Sequence, residues 1–195
     1  MPKTVCVING HPDPAKGHFV EALADAYAHG AGEGDHTVSR IDIAKLPIEF
    51  LRNAAEFGRP PGDAIIAERA KIAAADHIVF VYPLWMGSMP AIGKAFLEQV
   101  SRDGFMAETS GEANQMPVRK MTGKSVRLIV TMGMPGLAYR FIFGAHSVKA
   151  VKQGIFRMVG FKPVRHTILG MVGATGAKGR SKMLARVRVM GLRAR

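Results

Sequence analysis

Residues 77–82 (HIVFVY) form the strongest strand signal in the chain, and Pro83 stops it. Residues 4–8 (TVCVI) form a second apolar run, ending in the turn signal Asn9-Gly10. A strand without a polar face has no side to present to water, so it belongs in a parallel sheet covered on both faces. Between these runs, Phe19, Leu23, Ala26 and Tyr27 recur at helical spacing, and residues 36–43 (HTVSRIDI) predict another strand. Residues 44–60 are irregular. Pro60-Pro61 closes them, and Asp63 is placed to cap a helix over residues 63–75.

The same grammar continues beyond Pro83. Pro90 stands where a first helical turn begins, and Ile92, Phe96, Leu97 and Val100 mark that helix. Residues 103–122 are polar, contain glycine and have no period, which predicts a long loop. Residues 125–131 (SVRLIVT) predict a fourth strand. A helix over 147–159 carries Val148, Val151, Ile155 and Val159 on one face; a last strand over 161–169 and a basic helix over 179–190 follow. Strand and helix alternate five times. The expected fold is α/β, a doubly wound five-stranded parallel sheet with helices on both faces, as a single domain over residues 1–195.

Composition narrows the function. With 48% hydrophobic and 22% charged residues, the 195-residue chain is globular in character. Its one cysteine, Cys6, lies within an apolar run and is expected to be a buried core thiol, a poor nucleophile, in a reducing cytoplasm. No apolar stretch approaches the roughly 18 residues of a membrane span, and the start shows no leader pattern. No histidine or carboxylate pairs stand at metal spacing, so no metal site is expected. His18, His29, His36, His77 and His166 sit near element ends and are expected at the surface.

The net charge of +12 suits an anionic partner: a phosphorylated cofactor, an anionic membrane surface or nucleic acid. The cations are spread along the chain without a nucleic-acid-binding motif, so nucleic acid is not expected. Lys178, Arg180, Lys182, Arg186, Arg188, Arg193 and Arg195 crowd the terminal helix, with Met183, Leu184, Val187 and Met190 between them. Its apolar face is expected on the sheet. Its basic face is either a solvated surface or one that makes weak contact with a membrane surface or the phosphates of a cofactor.

Ligands of open parallel sheets bind beyond the carboxyl ends of the strands. Three loops fall there. Residues 9–18 (NGHPDPAKGH) lead into a helix whose N-terminus is suited to phosphate, with Gly17 allowing close approach and Lys16 adding charge. Neither G-x-G-x-x-G nor a P-loop is present, which disfavours an ordinary dinucleotide fold or an ATPase. Residues 82–91 (YPLWMGSMPA) read either as a wall for a flat apolar cofactor or as a core plug built on Trp85 and Met86. In residues 131–146 (TMGMPGLAYRFIFGAH), Gly133 and Gly136 admit a ligand, and Tyr139 and His146 are the side chains suited to proton handling.

With these loops in view, the chain resembles the flavodoxin-like NAD(P)H:quinone oxidoreductase family. The resemblance rests on His11-Pro12 with Phe19 downstream, Tyr82-Pro83-Leu84 through Met89-Pro90-Ala91, and Thr131-x-Gly133 with Tyr139. It implies FMN or FAD as cofactor, with the flavin phosphate around His11, Lys16, Gly17, His18 and Phe19. It implies a wall of Pro83, Leu84, Trp85, Met86 and Gly87 along the ring, and Thr131, Met132, Gly133 and Met134 along its other edge. Tyr139 and His146 would sit near the pyrimidine side as the catalytic pair. NAD(P)H would be the electron donor, a quinone or similar flat acceptor the substrate, and a homodimer the assembly. The alternative is a flavin-binding electron carrier or regulatory protein acting on a protein partner.

Overall fold

The computed structural model describes residues 1–108 and 116–195. In chain order the elements are β1 (Thr4–Asn9), α1 (Phe19–Glu33), β2 (Thr37–Asp42), α2 (Ala54–Phe57), α3 (Asp63–Ala74), β3 (His77–Pro83) and α4 (Ala91–Ser101). Then come β4 (Ala107–Glu108), β5 (Val118–Arg119), β6 (Ser125–Thr131), α5 (Gly136–Phe141), α6 (His146–Ala150), β7 (Val164–Leu169) and α7 (Gly176–Leu192). Five strands pair in parallel in the order β2-β1-β3-β6-β7. This is the doubly wound sheet that the alternation of runs predicts.

The side-chain period of two sorts each buried strand between two cores. Cys6 and Ile8, Phe80 and Tyr82, and Leu128 and Val130 pack with Ile72, Phe96, Val100 and Phe156 from helices on one face. Val5 and Val7, Val79 and Val81, and Ile129 pack with Leu23, Tyr27 and Val187 on the other. Cys6 is fully buried, and burial pushes its thiol up to about 11.

Several elements differ from expectation. Asp63 does not cap α3; Gly62 does, and Asp63 begins the helix, where its charge still favours the first turn. The expected loop over 103–122 contains an antiparallel pair, β4 with β5; residues 109–115 of it lie outside the described residues. The helix expected over 147–159 is α only through Ala150. Val151–Arg157 winds as a π-helix, with the Met158 N–H donating to the Gln153 carbonyl at 3.2 Å. Apolar spacing cannot distinguish the two windings, and Gly154 weakens the preference for α.

The terminal helix packs more on α1 than on the sheet. The contact is made by glycines: a Cβ on Gly30 would lie 2.0 Å from the Arg188 carbonyl oxygen, and one on Gly191 would lie 2.2 Å from that of Tyr27. Gly32, on the same helix as Gly30, faces open space. Gly191→Ala is therefore expected to destabilise by about 1–3 kcal/mol, whereas Gly32→Ala stabilises by up to about 1 kcal/mol. Urea unfolding of the two variants measures both effects.

His77 corrects the expectation that it lies at the surface. It is 1% exposed, because its strand runs through the middle of the sheet. Its Nε2 lies 3.0 Å from the Tyr27 hydroxyl and its Nδ1 2.7 Å from Ser125 Oγ. Burial, aided by nearby cations, lowers its pKa to about 3. The unfolded chain takes up this proton near pH 6.5 and the folded chain only near 3, so acid favours unfolding between those values. The stability held by neutral His77 is complete above about pH 6.5 and falls by several kcal/mol toward pH 3. His77→Gln is expected to flatten this acid limb in denaturation measured across pH.

Candidate functional site

The chain steps outward from β1 to β2 and returns to β3 on the other side, so the loops after β1 and β3 diverge and open a crevice. Gly10 fixes how closely they begin. Its N–H donates to the Val81 carbonyl at 2.7 Å, and a Cβ there would lie 2.6 Å from the Phe80 ring. Asn9 anchors the start of the loop: its Oδ1 accepts the His11 N–H at 3.2 Å, and its Nδ2 donates to Asp42 at 3.1 Å.

Within this first loop, the rings of His11 and His18 stack with centroids 3.7 Å apart. Asp13 ties them down. It accepts the Ala15 N–H at 2.9 Å, and its other oxygen lies 2.9 Å from His18 Nε2. The Ala15 N–H holds the Asp13 carboxyl below its usual range, and partial burial lowers His11. Trp85 from the second loop stands edge-on to His11 at 6.0 Å. His18 is the N-cap of α1 but its side chain makes no capping bond, so the first-turn N–H groups have no side-chain acceptor from it. That is the donor set of an anion cradle. Glu21 faces the same cradle and accepts the Gly17 N–H at 3.1 Å. Lys16 is exposed, and Phe19 packs against the core beneath α1.

The second loop is a tight turn. Trp85 and Ser88 exchange both backbone hydrogen bonds, at 2.8 and 2.9 Å. Between them Met86 and Gly87 have φ of 47° and 79°, the pairing of a type I′ turn. Trp85 is 50% exposed and Met86 fully exposed, so the pair forms an outward wall rather than a core plug. Pro83 is buried as the last residue of β3, and the Leu84 N–H donates to the Thr131 carbonyl at 2.7 Å, joining this loop to the third.

The third loop divides its residues. Thr131 is buried at the strand end. Met132 packs into the core, and its N–H donates to the Leu169 carbonyl, so its side chain does not line the crevice. Gly133 is exposed with open space at its Cβ position, as are Gly17 and Gly87; Met134 is half-buried. Gly136 is needed for another reason, because it packs on Ile168 and Gly170 of the β7 side.

Tyr139 is buried, and its hydroxyl lies 2.6 Å from Ser147 Oγ. His146 is exposed, its ring over Gly144, after a left-handed Gly144-Ala145 pair with φ of 61° and 48°. The structure therefore pairs Tyr139 with Ser147, a residue the motif reading passes over, and leaves His146 outside that bond. Ser147 also lines a cavity of about 310 Å³ with Ser88, Met89 and Lys94. The eight-residue separation of Tyr139 and Ser147 crosses a loop, so no helical or strand period reports it. Ser147→Ala strands the buried hydroxyl and is expected to cost about 1–3 kcal/mol, with a smaller added cost when Tyr139→Phe is combined with it. A double-mutant cycle by thermal unfolding measures this coupling.

The sheet order and the three loops define a flavodoxin-like α/β protein. The chain matches the profile of the flavodoxin-like fold family over residues 3–190 and belongs to that family. An uncharacterized NAD(P)H oxidoreductase of Haemophilus influenzae is 29% identical over 185 residues, covering 91% of this chain and 89% of that one. NAD(P)H dehydrogenase [quinone] 1 of Rattus norvegicus is 29% identical over 125 residues, covering 62% of this chain, and the match spans 44% of its length. Among solved structures, the NAD(P)H:quinone oxidoreductase of Methanothermobacter marburgensis shares the fold with a TM-score of 0.79 at 21% identity, covering 98% of each chain. An FMN-dependent NADH-azoreductase of Bacillus anthracis in complex with FMN shares it with a TM-score of 0.75 at 13% identity, covering 99% of each.

Proposed function

We propose that this protein is a flavin-dependent NAD(P)H oxidoreductase that passes electron pairs from a nicotinamide cofactor through FMN or FAD to a quinone or similar flat conjugated acceptor. The observation that carries the reading is the convergence of three loops at the reversal of strand order. There Gly17, Gly87 and Gly133 face open space, and Trp85 stands exposed beside the His11–His18 stack. A flat cofactor with an anionic tail fits these features: unclaimed α1 donors for the phosphate, an apolar wall for the ring and backbone for its polar edge.

In this reading His11, Gly17, His18 and the start of α1 hold the phosphate end. Leu84, Trp85, Met86 and Gly87 line the ring, and Thr131, Gly133 and Met134 line its other edge. A bound flavin supplies the two-electron hydride chemistry, and the chain supplies position and electrostatics. Ser147 holds the Tyr139 hydroxyl in place, and His146 stands at the solvent side, where it can bring or remove a proton. The type I′ turn keeps Trp85 and Met86 presented before the ligand arrives. The apolar groove of about 360 Å³ between α4 and the π-helix, lined by Leu97, Met106, Ile155 and Met158, supports a homodimer.

The purified protein is expected to show absorbance bands near roughly 370 and 450 nm that bleach on anaerobic NADPH addition, in keeping with this division of labour. Trp85→Ala is expected to lower flavin retention without lowering the melting temperature of the apoprotein. A colourless chain that takes up neither FMN nor FAD would overturn the reading. A flavin that binds yet is not reduced by NADH or NADPH would favour the carrier or regulatory role.

A further inference from the structure

Charge in this chain is segregated. Residues 116–195 contain 17 Lys and Arg and no Asp or Glu, while all 15 acidic residues precede them. The topology gathers this stretch at one side of the molecule: β6, β7 at the free edge of the sheet, α5, α6 and α7. Among the described residues only Lys120 and Arg188 of these cations reach a carboxylate side chain, those of Glu108 and Glu33. Arg140, His166 and Arg186 line an open cleft of about 550 Å³ together with Leu137 and Met171. Burial lowers the pKa of His166, and Lys152, Arg140 and Arg127 lower it further, as expected of cations without counter-charges.

A second feature adjoins the cleft. Leu137 and Phe141, one turn apart on α5, and Ile142 and Phe143 just beyond it, are 68, 80, 76 and 55% exposed. Arg140 lies within this segment and exposed Lys149 follows on α6. Large apolar side chains grouped at one tip mark an interaction surface rather than a solvated helix end.

We propose that this end of the molecule docks on the surface of an anionic phospholipid bilayer. The four apolar side chains of the α5 tip enter the boundary between headgroups and acyl chains, while Arg140, Lys149 and Arg186 meet lipid phosphates. The two features together select this partner. Nucleic acid would satisfy the cations but leave the apolar tip in water. A second copy placed symmetrically would cover the tip but press two sets of unpaired cations together. The terminal helix is thus a contributor, through Arg186, rather than the anchor itself. Its buried Val187 and Gly191 face α1, and Arg188 is engaged by Glu33. The proposal does not depend on the flavin reading, because the vesicle assay requires no turnover.

The test is co-sedimentation of the full chain with phosphatidylcholine vesicles with and without phosphatidylglycerol. Binding is expected only to the vesicles containing phosphatidylglycerol, and it should weaken with salt. Each of Arg140→Ala and Arg186→Ala is expected to weaken it about fivefold. The combined F141S, I142S and F143S variant should abolish it at an unchanged melting temperature. Lys45→Ala, near the β2 edge, should leave it intact. Equal binding to both vesicle types, or to neither, would overturn the proposal without recourse to any variant. So would a combined serine variant that still binds vesicles while an oligomer falls to monomer, which would give the tip to a second copy.

Discussion

The reversal of strand order between β1 and β3 is the constraint on which the rest of this structure depends. A parallel sheet buried on both faces leaves little place for a ligand except where two neighbouring loops part, and here they part after Asn9 and Pro83. Gly10 makes the separation possible. Its N–H bond to Val81 holds the departing chain against β3, where any larger residue would meet the Phe80 ring and the Val81 carbonyl. From that point the first loop rises through the His11–His18 stack to the N-terminus of α1, and the second turns back through Trp85 and Ser88. The proposed flavin pocket is a consequence of backbone routing before it is a consequence of any side chain.

The apolar runs made the sheet legible in the sequence. Residues 4–8 and 77–82 have no polar face, and burial on both sides is the physical meaning of that pattern; residues 125–131 keep the apolar alternation on one face and bury Arg127, bonded to Thr167, on the other. The loops were legible because proline and glycine punctuate them. Legibility ended where position depends on packing between distant segments. His77 looks like a strand-end histidine until the neighbouring strands close around it. Ser147 has no mark in the sequence, because its bond to Tyr139 spans a loop with two left-handed residues. Met132 reads as part of a ligand-facing strip, but the alternation of β6 carries its side chain into the core.

Polar chemistry is distributed unevenly over the molecule. The half built from β1 to α4 balances its charges with local pairs such as Arg40 with Asp42 and Lys71 with Glu68. The half built from β6 onward has cations without local partners, and its helices hold to the rest of the fold by close backbone approach and apolar contact, as α7 does on α1. Glycine packing allows this half to remain attached with few carboxylate partners, Glu33 for Arg188 across α1 and α7 being one, so most of its charge is left free to face outward.

The π-helix at Val151–Arg157 gives this architecture an adjustable length. A π segment accommodates one more residue than an α-helix over the same path, so loss of a single residue there would restore regular winding. Because the π turn absorbs its extra residue locally, the helix on either side of the loss would keep nearly the same facing, whereas the same loss from a regular α-helix would turn one side by about 100° relative to the other. Gly154 and Ile155 lie on the walls of both apolar cavities beside α4, and Ser147 lies on the wall of one. Loss of one residue in this segment would therefore reshape the cavity walls locally at Gly154 and Ile155, while the flanking helix and the five strands beneath kept their register. The sheet preserves the pocket's location, and the count of residues in one helix sets its outline.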